Sequence, residues 1–196
     1  MSVAERSHQR TPPELQAHEL VPANLSVGIR LWAGATVFFF LGPFFAYLYL
    51  RSLNSVDQWR PAGIDPPQVL GAATMALAVA SSVALLLAGR ASQRGWPLLG
   101  WLALGLGLGS VALQIVQYFR LDFGPTDGGY ASVFVGWTGL TAFFTLATMA
   151  WLETLLAYTL RGGDADLIRP RLAALAFYWP FLTGLAVVMW VVLYLA

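Results

Sequence analysis

The sequence predicts an all-α fold: a polytopic membrane protein whose five transmembrane helices form one bundle, N-terminus cytoplasmic and C-terminus outside. Three observations carry this. Long apolar runs recur five times, over about 26–50, 68–89, 97–119, 131–160 and 172–195. A run of about 20 such residues, rising ~1.5 Å each, crosses a hydrocarbon core of ~30 Å. Charged residues make up only 11% of the chain and hydrophobic ones 58%, where soluble domains carry about 25% charged residues. The arginines are unevenly placed: eight (Arg6, Arg10, Arg30, Arg90, Arg94, Arg161, Arg169 and Arg171) fall on one side and three (Arg51, Arg60 and Arg120) on the other. Arginine-rich loops stay in the cytoplasm, which sets the orientation.

Composition removes several function classes. The chain has no cysteine, so disulfides, zinc thiolates, iron–sulfur clusters and thiol nucleophiles are excluded. It has no lysine either, which excludes Schiff-base chemistry. A net charge of +1 gives no sign of nucleic acid as a partner. His8 and His18 both lie near the N-terminus, so no span offers an imidazole for haem or copper. Neither a Gly-rich phosphate loop nor a catalytic triad can be assembled.

Two domains follow: a polar cytoplasmic tail, 1–25, and a transmembrane domain, 26–196. The tail carries Glu5, Arg6, Arg10, Glu14, Glu19 and the Pro12-Pro13 pair. It lacks the apolar core of a signal peptide, so insertion is expected through the chain's own helices. Span one holds Gly42-Pro43, where a lost backbone donor favours a kink. Span two is rich in small residues, Gly71, Ala72, Ala73, Ala76, Ala80 and Ser81, which let helices approach closely. Span three has the same character at Gly100, Gly105, Gly107 and Gly109. It also carries Gln114 and Gln117, amides that need hydrogen-bond partners within lipid. Span four carries Glu153, about 12 Å below the Arg161 end, a candidate intramembrane polar contact. Trp59, Trp96 and Tyr130 lie near the predicted membrane interfaces, which suits either an aromatic belt or ordinary packing.

Four segments in order give the chain a resemblance. Phe38-Phe39-Phe40 is followed by Phe44-Phe45-Ala46-Tyr47 and Leu50-Arg51-Ser52, and then by a Trp59-Arg60-Pro61 loop. Gly107, Gln114 and Tyr118 line up in span three. Ser132-Val133-Phe134 leads to Thr138-Gly139 in span four, and Tyr178-Trp179 with Phe181 opens span five. From about Ile29 onward this resembles the subunit III family of haem–copper terminal oxidases, in its short five-helix form. Members of this form lack the first two of the seven helices found in others.

The resemblance implies a non-catalytic subunit of a cytochrome c oxidase. Subunits I and II would be its partners, and haem and copper would reside in them. This chain would bind no cofactor of its own. Its implied role is to stabilise subunit I, shield its proton-entry side and hold phospholipid between helices, while the complex reduces oxygen to water and translocates protons. Its home would be a bacterial or archaeal plasma membrane. The signature residues expected to serve in packing are Arg51, Gln114, Tyr118, Ser132, Phe134, Thr138, Gly139, Tyr178 and Trp179. Departures from the family pattern are systematic. Thr36 and Gln117 stand where the family has glutamates, Thr141, Phe144 and Pro180 where it has histidines, and Thr183 where it has an aspartate. Each change removes an ionisable group from lipid, where burying charge is costly. Two other readings compete: an accessory subunit of a quinol oxidase or nitric oxide reductase, and a stand-alone transporter or sensor. The latter predicts repeats, broken helices and converging polar groups.

Overall fold

A computed structural model describes residues 13–53, 59–60 and 63–195, with side chains from residue 24 onward. Among these all the regular structure is helical: α1 (Pro13–Ser52), α2 (Gln68–Arg90), α3 (Trp96–Tyr118), α4 (Gly129–Leu160) and α5 (Ala165–Tyr194). Each helix contains a stretch long and apolar enough to span a membrane.

Helix α2 packs on α3 and α5, and α4 packs on the same two, so α2–α5 close into a four-helix ring. Helix α1 lies outside the ring against α4 and α5. Small residues set the closest approaches. A side chain at Gly71 would collide with the Tyr194 ring, and one at Gly107 with Met149. These glycines therefore fix how near α2 comes to α5 and α3 to α4.

Two boundaries differ from the expected ones. Helix α1 already runs from Pro13, through much of the segment assigned to the polar tail; proline is well suited to a first helical position because its missing donor is not needed there. Its apolar part, Asn24–Ser52, matches the first predicted span. Residues 1–12, with His8, lie outside the described residues, as do the His18 side chain and Pro61. The second difference is the inner loop expected over 161–171. It is a tight turn instead, and α5 starts at Ala165. Gly162 adopts φ 78°, and Gly162 N and Gly163 N donate to Thr159 O (3.0 Å) and Tyr158 O (3.1 Å). This pair of bonds closes α4. Asp164 then caps α5 by accepting from Asp166 N at 3.0 Å. Local capping thus turns a charged, proline-containing stretch into helix. Through Gly42-Pro43, α1 continues as helix.

Candidate functional site

At the end of the bundle where α1 and α3 finish, aromatic rings interlock. Tyr47 meets Trp59 edge-on at 5.0 Å, and Trp59 meets Tyr130 at 5.8 Å. Tyr130 stacks on Phe134 at 6.0 Å, and Phe134 also touches Phe123 and Tyr194. Tyr130 N donates to Trp59 O at 2.9 Å, and its hydroxyl donates to Leu193 O at 2.6 Å. One side chain therefore ties the α1–α2 connection, α4 and α5 together. Arg51 donates to the Tyr47 hydroxyl at 2.8 Å. Arg60 lies over the Tyr130 ring at 4.7 Å, donates to Ile64 O and pairs with Asp65. Ser132 donates to Pro125 O and Gly128 O, securing the first turn of α4. Of the two readings for Trp59, Trp96 and Tyr130, interfacial belt or ordinary packing, their exposures of 9%, 3% and 2% match packing, with the Tyr130 hydroxyl satisfied internally.

Polar bonds between helices run through the rest of the bundle. The Tyr118 and Thr138 hydroxyls lie 2.7 Å apart, joining α3 to α4. Thr138 in turn donates to Phe134 O at 2.6 Å. Thr36 and Tyr178 join α1 to α5 at 3.0 Å. Trp179 Nε1 donates to Ser81 Oγ at 3.0 Å, and Ser81 donates to Ala103 O at 2.6 Å, so one serine links α5, α2 and α3. Gln117 donates through Nε2 to the Tyr194 hydroxyl. Each such bond in lipid is worth about 1 kcal/mol. Four positions where the family pattern carries an ionisable group thus hold neutral hydrogen bonds: Thr36 and Gln117 between helices, Thr141, which donates to Trp137 O at 2.9 Å and lies 3.2 Å from Met189 Sδ, and Thr183, which donates to Trp179 O at 2.9 Å.

The expected signature residues sort themselves plainly. Arg51, Tyr118, Ser132, Phe134, Thr138, Tyr178 and Trp179 all make the contacts just described. Gly139 faces the Tyr118 hydroxyl at an ordinary distance, so a methyl group would fit there. Gln114 is buried, and its Nε2 has no partner. Glu153 is on the exposed face of α4. This helix has 32 residues, about 48 Å at ~1.5 Å each, and so overshoots a ~30 Å core. Ser81 and Tyr194 were not singled out as sites. Ser81 appeared only among small packing residues; its signal was a hydroxyl in an apolar span facing a tryptophan-rich helix. Among the described residues, no group of three or more His, Cys, Asp or Glu gathers.

No family model matches the chain. Individual proteins do. It is 30% identical to "Cytochrome c oxidase subunit 3" of Tachyglossus aculeatus aculeatus, covering 91% of this chain and 70% of that one. A protein of the same name from the cyanobacterium Synechocystis is 27% identical over 94% of this chain and 81% of its own length. The one from Formosania lacustris is 29% identical over 92% and 72%. Each of these matches covers more than nine-tenths of this chain and at least 70% of the relative: the chain belongs to the cytochrome c oxidase subunit 3 family.

Proposed function

We propose that this multi-pass membrane protein is subunit III of a haem–copper terminal oxidase of the cytochrome c oxidase type. It sits beside subunit I, with subunit II completing the complex, and those partners hold the haem and copper. Its N-terminus faces the cytoplasm of a bacterial or archaeal cell. The reading rests chiefly on the likeness to proteins named cytochrome c oxidase subunit 3, and the interior agrees with it: among the described residues no carboxylate, imidazole or guanidinium is buried, only polar groups of Thr, Ser, Gln, Tyr and Trp. Such an interior suits a packing frame, not proton or electron transfer. The signature residues hold that frame together, and the acid at Glu153 is turned outward to meet a neighbour or the headgroup region.

Lipid binding fits the surface. A groove of about 560 Å³ between α1, the C-terminal end of α2 and the first turns of α5 is lined by Ile29, Ala173 and Phe177 together with Arg30 and Arg169. Acyl chains suit the apolar floor and a phospholipid phosphate suits the guanidinium groups.

Deleting the chain from its host tests the role. Membranes are assayed for oxygen uptake with reduced cytochrome c. We expect the oxidase to lose activity sooner during sustained turnover and its complex to dissociate at lower temperature. An unchanged rate, lifetime and thermal midpoint contradict the proposal.

A further inference from the structure

Inside the α2–α5 ring, the backbones of α2 and α4 stay apart, as do those of α3 and α5, which the Gln117–Tyr194 side-chain bond joins at one end. Between them lies a narrow cavity of about 40 Å³. Its lining is unusual for a membrane bundle. Three buried polar atoms on it have no partner among the described residues: Gln114 Nε2, Thr74 Oγ1 and Trp190 Nε1. Gln114 itself is only 8% exposed. Other lining hydroxyls point the opposite way in hydrogen-bond terms. Ser110 donates to Gly107 O at 2.7 Å, Thr145 to Thr141 O at 2.9 Å and Thr183 to Trp179 O at 2.9 Å. Each has committed its proton to its own helix and keeps lone pairs free. The cavity thus presents amide and indole donors beside hydroxyl acceptors, with no carboxylate, imidazole or guanidinium among its lining residues.

We infer that this cavity is a binding site for a small cluster of water molecules, held by Gln114, Thr74 and Trp190. Water satisfies donors and acceptors together and fits the space, since each molecule needs roughly 10–15 Å³ of such volume. By that measure the site takes about three. An acyl chain would leave the amide and indole protons unpaired at a cost, and a metal cation would lack an anionic ligand. The cluster acts structurally, linking α2, α3 and α5 through Thr74, Gln114 and Trp190 beside the direct Gln117–Tyr194 bond. No carboxylate, imidazole or guanidinium lines it, so it is not a proton store.

Hydroxyl-radical footprinting of the full-length chain in its purified complex tests it, because radicals form from water where water resides. Met189 lines the cavity and Met149 does not, and both are buried. We expect Met189 to oxidise several-fold faster than Met149. In a Gln114→Leu/Thr74→Val double variant the two rates should converge. Equal rates in the wild-type protein overturn the inference, as does a ratio that the double variant leaves unchanged. A high-resolution map of the complex gives a second readout. Discrete density within hydrogen-bonding distance of Gln114 supports the cluster, and a continuous acyl-chain density at that place refutes it.

Discussion

Gly71→Val is expected to unseat the end of α5 and to destabilise the protein by about 3 kcal/mol, the upper part of the range for overpacked cores. A Cβ at this position meets the Tyr194 ring, and that ring cannot fold away as a flexible chain end could. Tyr194 is 8% exposed and stacks on Trp190 at 5.8 Å. Displacing it breaks the bond from Gln117 and disturbs the Gln68 amide bond to Tyr194 O and the Tyr130 bond to Leu193 O. All these anchors lie at one end of the bundle, so their losses arrive together. Thermal unfolding in mild detergent, followed by the size-exclusion profile, reads the effect. Gly105→Val is the control: no atom lies within 4 Å of its would-be Cβ, and its midpoint should stay near that of the wild type. Equal midpoints for the two variants would contradict this account of the α2–α5 contact.

Trp179→Ala should cost about 3–5 kcal/mol, as large-to-small changes at buried aromatics do. Trp179 is 1% exposed and provides the donor that Ser81 accepts. Two effects are separable. Trp179→Phe keeps most of the ring volume and removes the donor, so it should lose about 1 kcal/mol. Ser81→Ala should lose a similar amount, leaving the indole N–H and the Ala103 carbonyl without this partner. The double variant Trp179→Phe/Ser81→Ala then costs less than the sum of the two, because the bond between them is counted once. Full additivity in unfolding experiments would mean that the bond does not hold α5 to α2.

Much of this architecture is legible in the sequence because lipid simplifies the problem. A backbone crossing hydrocarbon must satisfy its own polar groups, so five apolar runs become five helices with nothing else available to them. Helix ends are harder. Charge marked 161–171 as loop, whereas the Gly162-Gly163 turn and the Asp164 cap shorten it to a corner. The need of Gln117 for a partner could be read from its chemistry, but its spacing could not say that Tyr194, 77 residues away, would supply it. Aromatic position left two readings open at Trp59 and Tyr130: a ring near a span end suits either an interface belt or a core, and only tertiary packing decides. Glycine rows announced close approach correctly at Gly71 and Gly107, but Gly105 belongs to the same row and contacts nothing. The site residues lay within reach because the resemblance named them; their pairwise bonds lay in the tertiary structure.

The most direct test of the central claim is purification through a tag on this chain in mild detergent, with a reduced-minus-oxidised visible spectrum and mass identification of the proteins that come with it. The account predicts haem bands, of the a type for a cytochrome c oxidase, together with a large multi-histidine partner. A haem of another type with such a partner would move the assignment to a quinol oxidase or nitric oxide reductase branch. A colourless preparation without partners would contradict the subunit III role altogether.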